Sequence, residues 1–115
     1  MPDDINQWLE NFKQNWKQKN VDKVLELFSP EVEYHETPTR KLETRQEIRE
    51  EWEGICEQED IEIETEIFSS TEERHTVKWS LQYRRGGERR SLNGIYLIKL
   101  DQGRCVEFHQ YCQLE

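Results

Sequence analysis

The chain has 115 residues, 36% of them charged, and its acids outnumber its bases by 25 to 16, for a formal net charge of −9. This length makes one domain, 1–115, that buries roughly two-thirds of its unfolded surface. The negative balance repels phosphate backbones and excludes general nucleic-acid binding, and no apolar run approaches the ~20 residues that cross a bilayer. Met1, Pro2, Asp3 and Asp4 carry neither a basic nor a hydrophobic signal segment, so a soluble, cytoplasmic protein is expected. The hydrophobic share is only 33%, yet four Trp, four Tyr and four Phe enlarge the available core. Each such ring buries roughly 150–250 Å².

Residues 4–19 read as an amphipathic helix, with Ile5, Trp8, Leu9, Phe12 and Trp16 at helical spacing. Asn20 is placed to cap a second, shorter helix, whose apolar stripe is Val21, Val24, Leu25 and Phe28. Pro30 cannot continue a helix interior, and Ser29 before it is pushed toward extended backbone. Val32 and Tyr34 then alternate with Glu33 and His35, which predicts a half-buried strand over 31–36. That phase sets Glu36 on the apolar face with Val32 and Tyr34. A loop opens at Thr37 and Pro38 and runs to about Leu42. Thr44 and Glu47 match a capping box. The helix they start buries Ile48, Trp52, Ile55 and Cys56, with Gly54 weakening its last turn.

From Asp60 the period changes to two. Ile61, Ile63 and Ile67 alternate with glutamates, and Val77, Trp79, Leu81 and Tyr83 alternate with polar residues. Gly86 and Gly87 predict a hairpin turn. The next strand, about 90–100, turns Leu92, Gly94, Tyr96, Ile98 and Leu100 to one face. After a turn at 101–103, the last strand over 104–113 sets Val106, Phe108, Gln110 and Cys112 inward, with Glu107, His109 and Tyr111 outward. Helix, helix, strand, helix and four hairpin-linked strands make an α+β fold, its sheet mostly antiparallel with the helices on one side.

The cysteines are Cys56, Cys105 and Cys112, an odd number. Cys105 and Cys112 would lie roughly 23 Å apart along one strand at ~3.3 Å per residue and cannot bridge. All three are expected to be buried and reduced. His35, His75 and His109 have no ligand spacing to one another, so no metal site is read, and no cofactor is implied. His35 and His109 fall on outer strand faces.

The run from Trp16 to Phe28, Val32 and Tyr34 before Pro38, Glu47 and Ile48 before Trp52, and the stretch from Asp101 and Gly103 to Tyr111 together resemble the NTF2-like superfamily. That group contains SnoaL-type cyclases, ketosteroid isomerase and nuclear transport factor 2. The likeness spans nearly the whole chain through apolar positions and carries no invariant chemical signature. It implies a cone, three helices packed into the concave face of a curved sheet, open at one end to a hydrophobic pocket. It also implies pairing through the outer sheet face, where Ile95, Leu97 and Tyr111 would be exposed in a lone copy.

By that resemblance, Glu36 takes the position of a general-base carboxylate and Tyr96 that of a hydrogen-bond donor. The isomerase's other donor position is Phe12, which donates nothing. The final-strand carboxylate of the cyclases is replaced by Gln110, and the Asp-Arg-Asp set of epoxide hydrolases has no counterpart. Phe12, Trp16, Tyr34, Trp52, Trp79, Phe108 and Gln110 are the expected ligand-binding residues, suited to a small apolar or aromatic ligand. The expected function is small-molecule binding, extending to isomerase, cyclase or lyase chemistry through a carboxylate base. The alternative is a non-catalytic ligand-binding or dimerisation module. In the bland reading Glu36 is a rim residue paired with Arg40 or Lys41.

Overall fold

The computed structural model describes residues 4–114, and Met1, Pro2 and Asp3, where no signal segment is read, lie outside them. Helix α1 spans Ile5–Lys17, and the Asp4 carboxylate caps it by accepting from the Asn6 and Gln7 amides. Its buried residues are the predicted stripe of Ile5, Trp8, Leu9, Phe12 and Trp16. Asn20 caps α2, Val21–Leu25, accepting from the Lys23 amide.

Strand β1 spans Phe28–Thr37, so Phe28 opens the strand and does not extend the helical stripe. The chain leaves the helix early because the Leu27 carbonyl is engaged elsewhere. It accepts from the Cys105 amide at 2.8 Å and from the Trp8 indole at 3.0 Å. Pro30 falls in the break of the β1–β6 ladder between Phe28 and Glu33, where its missing N–H removes no ladder bond. The expected loop to Leu42 contains a further strand, β2 over Arg40–Leu42, paired antiparallel with β1.

Helix α3, Arg45–Glu53, begins at Thr44 with both halves of the capping box formed. At Gly54 it tightens into a 3₁₀ turn, Gly54–Glu57. The tighter turn keeps Ile55 inside and rotates Cys56 out to solvent, against the expectation of burial.

Strands β3 (Glu59–Ser70), β4 (Arg74–Arg85), β5 (Glu88–Asp101) and β6 (Arg104–Leu114) complete one six-stranded sheet in the order β2-β1-β6-β5-β4-β3. Only β1–β6 is parallel. The sheet is curved and unclosed, and the three helices occupy its concave side, an α+β fold as expected. Phe12 is the hub of the core. It has no exposed surface and meets Trp16, Trp52 and Tyr96 edge to face at 5.4–5.7 Å.

The simple alternation fails at the start of β6. Leu100 pairs with Cys105 but Lys99 with Glu107, so Val106 is an extra residue in a bulge. Cys105 is therefore fully buried, where alternation would put it outside, and Val106 is only partly covered. Cys112, near the strand's end, is exposed. Of the three thiols only Cys105 meets the expectation of burial. Among the described residues no helix is long and apolar enough to cross a membrane.

Candidate active site

Strand β1 carries Tyr34 and Glu36 to the inner face, and β6 lies beside it with Tyr34 opposite Phe108. Gln110, two residues further along, donates from Nε2 to Glu36 Oε1 at 3.4 Å. Helix α3 borders the same space and contributes Trp52 and Glu51. The space enclosed is a cavity of about 290 Å³ with Trp16, Tyr34, Trp52, Trp79 and Leu81 among its walls and Glu36, Glu51 and Gln110 as polar members.

Burial pushes the Glu36 carboxyl up, and the Glu51 charge and a hydrogen bond with Glu51 push it further, to about 8. The Arg40 charge and a hydrogen bond from Tyr34 oppose the rise. Arg40 itself is paired with Glu51, 3.4 Å from Nη1 to Oε2. Near neutral pH the Glu36 carboxyl therefore keeps its proton, because burial and a like charge close by disfavour its ionisation. Around it, burial raises the Tyr34 and Tyr96 hydroxyls well above their ordinary value, with the Glu36 charge adding to both. Burial and the Glu36 charge likewise raise the Cys112 thiol, which lines the same cavity.

Buried donors near this cavity are unspent. The Trp79 indole N–H and the Tyr96 hydroxyl are buried with no hydrogen-bond partner among the described residues. They belong to stacked rings, 5.1 Å between centroids and 13° between planes. A buried donor without a partner costs about 1–3 kcal/mol, which a ligand's acceptor would recover.

A larger cleft, about 380 Å³, lies by the β3–β4 turn and includes Ser70, Arg74, His75 and Lys99. Ser70 Oγ and His75 Nδ1 are 2.8 Å apart there. The smaller cavity is the better candidate despite its size, because among the described residues a carboxyl with a raised pKa meets idle donors there.

Residues 9–108 match the SnoaL-like domain in sequence. The chain belongs to the SnoaL-like domain family. No curated protein matches it in sequence. Its fold is shared with AusH from Aspergillus nidulans, at TM-score 0.80 and 14% identity over 97% of this chain and 87% of that one. Delta 5-3-ketosteroid isomerase from Mycobacterium sp. superposes at TM-score 0.79 and 12% identity, covering 96% and 98% of the two chains. An NTF2-like protein of unknown function from Exiguobacterium sp. 255-15 gives TM-score 0.76 and 14% identity over 92% and 98%. At such identities the likeness establishes the fold.

In this SnoaL-like chain the fold gathers Glu36, Trp16, Tyr34, Trp52, Trp79 and Gln110 around one cavity. Phe12 and Phe108 lie elsewhere, in the core with no exposed surface and 6.4 Å between ring centroids. Tyr96 is also fully buried and stands behind Trp79. Sequence reasoning missed Glu51, which is not in the buried stripe of Ile48, Trp52, Ile55 and Cys56 read for this helix. A signal was present, since Glu51 is three residues after Ile48 and four before Ile55, beside the buried stripe. His35 and His109, far apart in sequence, are opposite each other across β1 and β6 with their rings stacked at 4.3 Å.

Proposed function

We propose that this SnoaL-like protein binds a small, largely apolar or aromatic carbonyl compound in the Glu36 cavity and transfers a proton on it. It would thereby act as an isomerase, cyclase or lyase. The observation that carries this reading is the Glu36 carboxyl set beside Glu51 in an aromatic-walled cavity, where burial and the Glu51 charge raise it to about 8. An acid–base group is most effective when its pKa lies near the working pH. In its ionised form Glu36 takes the proton from the carbon beside the carbonyl, and the electron pair moves onto the carbonyl oxygen. The enolate oxygen then needs a donor, and the idle Tyr96 hydroxyl and Trp79 N–H are the candidates. The proton returns at another carbon in an isomerase. In a lyase a neighbouring group departs, and in a cyclase the carbanion attacks a second carbonyl of the same molecule. A volume of about 290 Å³ is at the bottom of the usual range for ligand pockets and favours a small molecule. Trp16, Tyr34, Trp52 and Trp79 supply its apolar walls. Phe12 and Phe108 support them from behind.

A second reading is favoured by the contacts of Glu36 itself. Gln110 and Glu51 both engage its carboxyl group, which suits a non-catalytic pocket that recognises one polar edge of a ligand. Exchange of the α-proton of small cyclic ketones for deuterium, followed by NMR, separates the two. The enzyme reading expects exchange with the wild type and a loss of about 100-fold or more in Glu36→Gln. If native mass spectrometry finds a retained ligand while no ketone exchanges, the binding reading replaces it.

A further inference from the structure

We propose that Glu33, His35 and His109, on the convex face of the sheet, form a binding site for a divalent transition-metal ion of the Zn²⁺ class. One ligand atom from each of the three residues lies within 4.8 Å of the others. The site is built by the ladder. Strands β1 and β6 run parallel, with Glu33 opposite Glu107 and His35 opposite His109. A glutamate and a histidine two residues apart on each strand therefore project from the same face as a rectangle of four potential ligands.

The present contacts already bring the candidate ligands together. His35 Nε2 is 2.9 Å from Glu33 Oε2, and His109 Nε2 is 3.0 Å from Glu107 Oε1. The two imidazoles are stacked nearly parallel, 6° between planes. Two carboxylates, Glu33 and Glu107, are opposed across the strands. Lys41, opposite His35, and Lys99, opposite Glu107, compensate part of the negative charge from the flanking strands. A dication bound by one nitrogen of each ring and one Glu33 oxygen would offset the facing carboxylates. Ligands at ~2.0–2.2 Å from zinc sit closer together than 4.8 Å, and these half-exposed side chains can close the difference by rotation. Glu107 then orients the His109 ring through its other nitrogen, the usual role of an outer carboxylate. Two imidazoles and one carboxylate suit Zn²⁺, Co²⁺, Ni²⁺ or Cu²⁺ above Mg²⁺ or Ca²⁺.

The position has a consequence. His35 lies between Tyr34 and Glu36 in sequence, and His109 between Phe108 and Gln110. A metal here would pin the one parallel seam of the sheet directly behind the Glu36–Gln110 hydrogen bond. It would stabilise the fold by an amount that grows with the logarithm of the free ion concentration above its Kd.

The test is calorimetric titration of the full chain with Zn²⁺ after chelator treatment, with thermal melts in the presence and absence of the metal. The expected result is one ion per chain, a raised melting temperature, and affinity reduced tenfold or more in His35→Gln and in His109→Gln. Melting temperatures of both variants without metal should match the wild type, which separates ligand loss from misfolding. Cys56→Ser and Cys112→Ser should bind as the wild type does. No binding at micromolar Zn²⁺, binding that survives both histidine substitutions, or binding abolished by either cysteine substitution would overturn the proposal.

Discussion

Glu36 is held in a state its own chemistry disfavours. Folding raises its pKa from an ordinary 4.5 to about 8, through burial first and the Glu51 charge second. Between those values the folded chain keeps a proton that the unfolded chain has released. The linkage relation then makes stability fall as pH rises through that window. Glu36→Gln removes the titration but keeps a similar shape. Its melting temperature should match the wild type below pH 4.5 and exceed it increasingly up to about pH 8. A difference constant across that range would mean that Glu36 titrates normally. Glu51→Gln tests the second cause. With that charge gone, the Glu36 carboxyl should titrate at lower pH, read by NMR of the side-chain carboxyl carbon. Arg45 plays a purely structural part. Its guanidinium donates to the carbonyls of Leu25, Phe28 and Ser29 at 2.5, 3.2 and 3.3 Å, tying α3 to the turn between α2 and β1. Hydrogen bonds from a charged donor contribute about 1.5–3 kcal/mol each, with little additivity when they share one group. Arg45→Met should therefore cost about 2–3 kcal/mol in denaturant unfolding. Its role was invisible in the sequence, because an arginine in a helix's first turn gives no sign that three carbonyls will converge on it.

Helices and strands differ in how much of their form is written locally. The stripe of α1 and the capping box at Thr44 depend on neighbours a few residues away, and both are found as the periodicity implies. The departures occur where distant chain decides. Phe28 left the helical stripe because Cys105, on β6, draws the Leu27 carbonyl into the sheet. Val106 lost its inward place to a bulge that only the pairing with β5 can reveal. The short β2 exists because β1 offers an edge, not because Arg40, Lys41 and Leu42 favour extended backbone. The candidate site divides the same way. Glu36 and its aromatic walls could be read from strand phase and resemblance, whereas Glu51 needed the placement of α3 beside the cavity. Gly94 marks the tightest point in the sheet. A Cβ there would sit 1.8 Å from the Tyr111 carbonyl oxygen and 3.0 Å from the Trp79 ring. Backbone cannot yield as a flexible side chain can, so Gly94→Ala should destabilise by about 3 kcal/mol or more. It should also disturb the Trp79–Tyr96 stack, seen as a change in near-ultraviolet circular dichroism. An alanine variant that melts with the wild type would show that the two strands can part there without cost.

An unclosed sheet leaves two edges and a convex face to be managed. The β3 edge carries Glu62, Glu64 and Glu66 outward, all exposed, and charge on an edge strand deters pairing with another sheet. With a net charge of −9, copies of this chain repel one another except where the surface is neutral. The convex surface of β5 and β6 supplies such a place, with Ile95, Leu97 and Tyr111 exposed at 40%, 36% and 41%. Ile95 is paired directly with Tyr111, and Leu97 with His109, so the three form one patch across two strands. We propose that a second copy covers it, face to face, in a homodimer. Isolated apolar residues are common on any surface, so the decisive measurement is mass in solution. Leu97→Glu places a charge at the centre of the patch and should convert a dimer to a monomer by light scattering, while the melting temperature in dilute solution stays close to that of the dissociated wild type. Glu64→Gln, on the edge strand, should leave the mass unchanged. Because His35 and His109 border the same patch, Zn²⁺ should shift the monomer–dimer balance if the ion and the second copy meet there. A wild type that is monomeric at every concentration would instead leave the convex face to solvent.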